Sequence, residues 1–164
     1  MTVLVIYESM WGATKAVAEA IGAGLGEADV RVVDVGEAEP VVPGDVDLLV
    51  VGGPTHAFGM TRASTRANAA KDHPPVLSPT GVREWLETAK LPAGLACAAF
   101  DTKVVTPDLP GSAGKGIDKS LRRLGGHPVA KPTTFRVHGK WDGLAEGEAE
   151  RARAWGAELA ATLS

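Results

Sequence analysis

Five short runs of apolar, largely β-branched residues recur along the chain, at 2–7 (TVLVIY), 30–35 (VRVVDV), 47–52 (DLLVVG), 94–100 (GLACAAF) and 133–138 (TTFRVH). Between most of them the apolar residues take up a helical period. Val17, Ile21 and Leu25 follow the first run. Val82, Trp85, Leu86 and Ala89 precede the fourth, and Ile117, Leu121 and Leu124 precede the fifth. Ala152, Trp155, Leu159 and Leu163 mark a terminal helix. Strands that alternate with helices are joined by crossovers and pair in parallel, and runs so continuously apolar must be covered on both faces. The pattern therefore predicts an α/β layer structure.

One link departs from the alternation. Residues 36–46 (GEAEPVVPGDV) are too short and too rich in Pro and Gly for a crossover helix, so the second crossover is predicted to be little more than a turn. Residues 53–79 are the opposite case, a long connection carrying Pro54, Pro74, Pro75 and Pro79, with a short helix expected near Ser64–Lys71. Connections of that length inside a compact domain usually serve a function.

The totals narrow the classes further. A chain of 164 residues suits one domain over 1–164, and 45% hydrophobic with 23% charged residues excludes a disordered or fibrous chain. A net charge of −3 argues against a nucleic-acid footprint. The single cysteine, Cys97, excludes an intrachain disulfide and a cysteine metal cluster, and its apolar neighbours predict a buried, inert thiol. No apolar run approaches a membrane span, and the N-terminus lacks the basic start and long apolar core of a signal peptide, so a cytoplasmic location is expected.

Ligands of open α/β sheets sit outside the carboxyl ends of the strands. Three segments leave such ends here: 8–14, 53–62 and 101–112. The first, with Ser9, Gly12 and Thr14, runs from a strand straight into a helix, where unpaired N–H groups and the helix dipole favour an anion. The alternative is that Ser9 is a plain N-cap. Other phosphate motifs fit badly: Leu109–Gly116 (LPGSAGKG) lacks the first glycine and the final Ser or Thr of a Walker A loop, and 8–14 holds no G-x-G-x-x-G. Gly111, Ser112 and Gly114 are expected to turn the chain into the next helix.

On these residues the chain resembles the flavodoxin-like FMN-binding family. Ser9, Gly12 and Thr14 fall on that family's Ser/Thr-x-Thr-Gly-x-Thr phosphate loop. Trp11 departs from it, and Ser-Met-aromatic-Gly is similar instead to flavodoxin-like NAD(P)H:quinone reductases, as is Pro54-Thr55-His56-Ala57-Phe58-Gly59-Met60 to their Pro-Thr-x-Phe-Gly loop with one residue added. The resemblance implies a three-layer sandwich around a five-stranded parallel sheet in the order 2-1-3-4-5. It implies FMN as cofactor, its phosphate held by Ser9, Met10, Trp11, Gly12, Ala13 and Thr14. Pro54, Thr55, His56, Phe58 and Gly59 would pass along the ring, Gly59 adopting dihedrals that other residues resist. Phe100, Asp101 and Thr102 would present backbone donors to the ring's pyrimidine edge. Many relatives stack the ring between a Trp and a Tyr; here Tyr7, the only tyrosine, lies in the first strand, which leaves Phe58 and Trp11.

Three functions follow from the resemblance: a one-electron carrier serving a redox partner protein, an NAD(P)H-dependent two-electron reductase of a small acceptor such as a quinone, or a flavin-free binding module. Formal charge favours the second, since Glu8, Asp101 and Asp108 in the three loops balance Arg62, Arg66 and Lys103. Each side chain also has a plainer reading. Phe58 can cover the core, His56 can be a loop hydrogen-bonder, and Arg62, Arg66 and Lys71 can form a solvated face rather than meet a nicotinamide phosphate. Trp85 and Trp155 are assigned to packing, and Trp141 to a turn at an edge or interface.

Overall fold

Strand β1 (Thr2–Tyr7) leads through a polar turn into helix α1 (Ala13–Gly24), which returns the chain to β2 (Asp29–Asp34). No α-helix links β2 to β3 (Leu48–His56): a single 3-10 turn at Val35–Glu37 and an extended segment suffice, as the Pro and Gly content of 36–46 predicts. A two-residue strand, β4 (Gly59–Met60), folds back on β3 before α2 (Ala63–Ala70) and α3 (Val82–Thr88). Then come β5 (Ala96–Val104), α4 (Ala113–Arg123), β6 (His127–Pro128), β7 (Thr133–Gly139), β8 (Gly143–Leu144) and α5 (Glu148–Leu163). This is a computed structural model, and it describes residues 1–56, 58–74, 77–106, 108–139 and 143–164. Trp141 lies outside the described residues, as do Ala57 of the second loop and Pro75 of the long connection.

The long strands lie side by side in the order β2-β1-β3-β5-β7, all parallel, with Val3 beside both Val30 and Leu48, Leu48 beside Ala96, and Phe100 beside Thr133. This is the order that the resemblance implies for five parallel strands. The three short pieces are additions: β4 pairs antiparallel with β3, β6 lies parallel to the start of β5, and β8 runs antiparallel on β7. Two residues carry too little alternation to be read from sequence, which is why they were not expected.

Alternation along each strand divides the interior into two cores. Val3, Val5, Tyr7, Leu48, Val50, Ala98 and Phe100 point to the face covered by α1 and α5. Leu4, Ile6, Leu49, Val51, Cys97 and Ala99 point to the face covered by α3 and α4. Trp85 and Trp155 are core residues, 5% and 8% exposed, as their spacing predicts. Trp155 joins Phe100 and Phe135 in an edge-to-face triangle with centroids 6.0–6.4 Å apart. Cys97 is fully buried, and burial pushes its thiol up to about 11, which makes it inert. Among the described residues no helix is long and apolar enough to cross a membrane.

Because the strands are parallel, the carboxyl ends of β1, β3, β5 and β7 emerge along one edge. The site lies on that edge.

Candidate functional site

A cavity of about 280 Å³ opens there. The segment after β1 lines it with Met10, Trp11, Ala13 and Thr14, the end of β3 with Pro54, Thr55 and His56, and the third segment with Thr102, Lys103, Val104 and Leu109. The end of β7 adds Val137 and Gly139, which the sequence reading did not include. Parallel pairing was signal enough for that, since a fifth parallel strand must end on the same edge as its neighbours.

The first segment carries the donors of a candidate anion cradle. Ser9 is fully buried, and its Oγ accepts the Gly12 N–H at 3.2 Å, so its own proton is left to donate. Gly12, at φ 100°, is the N-cap of α1 and turns the chain into the helix in a left-handed conformation that other residues resist. The first N–H groups of α1 have no intrahelical acceptors, and no acidic residue stands in its first turn to repel an anion. Ser9 is therefore not the N-cap; it braces the loop from within. Thr14, 3% exposed, shares a 2.7 Å hydrogen bond with the Thr102 hydroxyl, so one of these two hydroxyls keeps a proton to donate elsewhere.

A residue missed in the sequence holds this cradle from behind. Ser78, 2% exposed, clamps the Ser9 peptide at both ends: the Ser9 N–H donates to Ser78 Oγ at 2.9 Å, and the Ser78 N–H donates to the Ser9 carbonyl at 2.8 Å. Ser78 Oγ then donates to Asp34 Oδ2 at 2.8 Å. The long connection 53–79 thus reaches back to fix the first loop. A serine 69 residues from its partner leaves no local pattern to read.

The second segment is a hairpin rather than an irregular loop. Strand β3 runs on through Pro54-Thr55-His56, with Thr55 opposite Met60 and His56 opposite Gly59. Among the described residues of the turn the left-handed one is Phe58, at φ 74°, and not Gly59, which has no positive φ and has open space around it. The expectation for Gly59 is thereby corrected. A positive φ on a bulky residue is strained, and strain of this kind persists only where the surroundings enforce it. Here Gly111, at φ 97°, lies under the turn so closely that a Cβ on it would stand 2.2 Å from the Phe58 carbonyl oxygen. Phe58 is 57% exposed and is not among the residues that line the cavity, and its exposure rules out the reading of it as core cover. His56 lines the cavity, and burial lowers its pKa, favouring the neutral ring.

Several expected charges lie elsewhere. Glu8 shares the strand face of Leu4 and Ile6, so it turns away from the cavity toward α3, where it is 1% exposed. It accepts the Val82 N–H at 2.9 Å and the Thr61 hydroxyl, and burial raises its pKa against those two bonds. Arg66 donates to Thr61 at 2.8 Å and to both oxygens of Glu84 at 2.6 and 3.0 Å, so it joins the same network and does not face a ligand. Asp101 is fully buried on the α4 face and accepts from Thr55, from Ser112 and from the Gly114 N–H at 2.9 Å. It fastens the second segment to the start of α4, where Ser112 caps the helix through the Lys115 N–H. Phe100 belongs to the core, so of the third-segment residues expected at the site only Thr102 lines the cavity. Lys103 is the one charged residue among the described cavity-lining residues, apart from the neutral-leaning His56. In place of three acids balancing three bases, the described cavity-lining residues include no carboxylate.

The flavodoxin family model matches residues 5–85, which include the first two segments. No curated protein sequence matches the chain. Among solved structures the chain is similar to a flavodoxin from the domain Archaea, at 21% identity and TM-score 0.69, covering 99% of both chains. It is similar also to oxidised Flavodoxin 1 from Bacillus cereus, at 19% identity and TM-score 0.70, covering all of both chains. A flavodoxin, WrbA-like protein from Agrobacterium tumefaciens aligns at 18% identity and TM-score 0.59, over 99% of this chain and 96% of its own. At these identities the likeness is one of fold.

Proposed function

The chain is flavodoxin-like in fold and, over residues 5–85, in sequence; on that premise we propose that it binds FMN at the carboxyl edge of its sheet and acts as a redox protein. The observation that carries this is the junction of a neutral anion cradle at Ser9–Thr14 with a largely apolar slot between the ends of β3 and β5. That donor set fits a phosphate joined to a flat ring system. Ser9, Thr14 and the amides of residues 10–14 would hold the phosphate, while Trp11, Pro54–His56 and Thr102 would border the ring. FMN, when bound, supplies the capacity to take up and release one or two electrons. The protein supplies orientation and a dry wall: the Asp101 and Ser78 brackets fix the three segments relative to one another.

A second reading, a two-electron reductase using NAD(P)H and an acceptor such as a quinone, is favoured by the cavity's charge. Lys103 is the charged residue of the described lining, and although its Nζ lies 3.5 Å from Asp108 Oδ1, no described lining residue is a carboxylate, so a negative charge developing there meets no acid in the wall. A carrier that passes single electrons to a protein partner does not need that. The flavin-free module is disfavoured by the prearranged cradle.

Titration of the purified apo-protein with FMN, followed by quenching of flavin fluorescence, tests the proposal. Saturable one-to-one binding is expected, and its absence overturns both redox readings. Anaerobic addition of NADH or NADPH to the FMN-loaded protein then separates them: bleaching of the flavin absorbance supports the reductase, and none leaves the carrier.

A further inference from the structure

The register of the sheet sets Lys103 on β5 directly beside Arg136 on β7, so both project from the same face. Two cations so placed destabilise a sheet unless an anion lies between them. Asp108, from the segment after β5, supplies it: Oδ1 lies 2.9 Å from Arg136 Nη1 and 3.5 Å from Lys103 Nζ. The Asp108 side chain is 63% exposed, whereas that of Lys103 is 12% exposed and lines the cavity wall. Hydrogen bonding to Arg136 first, and then the charges of Arg136 and Lys103, hold the Asp108 carboxyl below the usual range. Two other acids among the described residues are committed elsewhere. Asp101 binds Thr55, Ser112 and Gly114, and Glu148 accepts the Arg136 backbone N–H and pairs with Arg151. One exposed carboxylate thus answers two cations.

We propose that Lys103 and Arg136 form a second anion site at the β5–β7 end of the cavity, filled in this structure by Asp108, which takes the phosphate or pyrophosphate group of a small molecule. Lys103 follows Thr102, whose hydroxyl is bonded to Thr14 of the cradle, so this site adjoins the cradle, and its two cations offset the repulsion between an anion here and one there. A small molecule suits it better than a protein. Lys103 belongs to the lining of a concave cavity, with Arg136 beside it on the next strand, and the exposed large apolar residues Phe58, Val105 and Leu109 are few for a stable protein interface. The anion site stands on the strand register alone; that its ligand exchanges electrons at the cavity rests on the flavin reading.

The test is a backbone-amide NMR titration of the whole apo-protein with inorganic pyrophosphate. Salt-sensitive shifts are expected at Lys103–Val105, Asp108, Arg136 and Val137, as a set titrating separately from residues 10–14. Asp108→Asn, which removes the resident anion, should tighten that set about three- to fivefold. Arg136→Gln and Lys103→Gln should each weaken it by about tenfold, and the spectra themselves report whether each variant is folded. Shifts confined to residues 10–14, or affinities at the β5–β7 set that none of the three substitutions alters, overturn the proposal. FMN added to the same sample reports separately: failure to shift residues 10–14 overturns the flavin reading and leaves the pyrophosphate result standing.

Discussion

Ser78→Ala removes one oxygen and tests how the anion cradle is held. In the wild-type chain that oxygen accepts the buried Ser9 N–H and donates to Asp34, while the backbone bond from the Ser78 N–H to the Ser9 carbonyl does not depend on it. The substitution leaves a buried N–H without an acceptor, at a cost of about 1–3 kcal/mol. The retained backbone bond keeps the loop close to its place, so the lower half of that range is expected. For a domain of this size about 1–2 kcal/mol lowers Tm by about 2–8 °C. The apo-protein's thermal unfolding, followed by circular dichroism, measures it. Loosening one wall of the cradle should also weaken FMN by about three- to tenfold while riboflavin, which lacks the phosphate, changes less. A Tm within 1 °C or so of wild type, with FMN and riboflavin weakened alike, would refute the claim that Ser78 braces the phosphate loop.

Two further outcomes follow from the same geometry. Gly111→Val should destabilise the fold by about 2 kcal/mol or more in urea unfolding, because both the positive φ and the Phe58 carbonyl 2.2 Å from its Cβ position oppose a side chain, whereas Gly59→Ala should be nearly neutral. For Glu8, burial raises the folded-state pKa above the ordinary 4.5, so its stabilising contribution is present below that value and is lost as pH rises through the raised one; Glu8→Gln should flatten this part of the stability-versus-pH curve, and an unchanged curve would place the titration elsewhere.

The layer structure was legible because burial on both faces leaves a residue-level signature: apolar runs where strands lie between helices, and a four-residue repeat where helices cover them. The turn from β1 into α1 was legible for a similar reason, since a strand that turns into a helix within six residues concentrates its signals in one stretch. What was misread depended on contacts distant in sequence. Glu8 was counted at the cavity because it neighbours Ser9, yet alternation from Leu4 and Ile6 already put it on the opposite face. Asp101 was counted among the charges of the site, but its carboxylate anchors Thr55 and α4, partners 46 and 13 residues away. The turn at 58–59 went to the wrong residue because glycine is the usual bearer of positive φ, whereas Phe58, whose backbone packs against Gly111, carries it.

The relative affinity for FMN and riboflavin tests the central claim most directly, because the two differ only in the phosphate. Two hydroxyl hydrogen bonds to a charged group and the start of α1 should together make FMN bind tighter by at least about a hundredfold. Ser9→Ala with Thr14→Ala should remove most of that difference and leave riboflavin nearly unchanged. Equal affinities for FMN and riboflavin in the wild-type protein would contradict the assignment of residues 9–14 as the phosphate site.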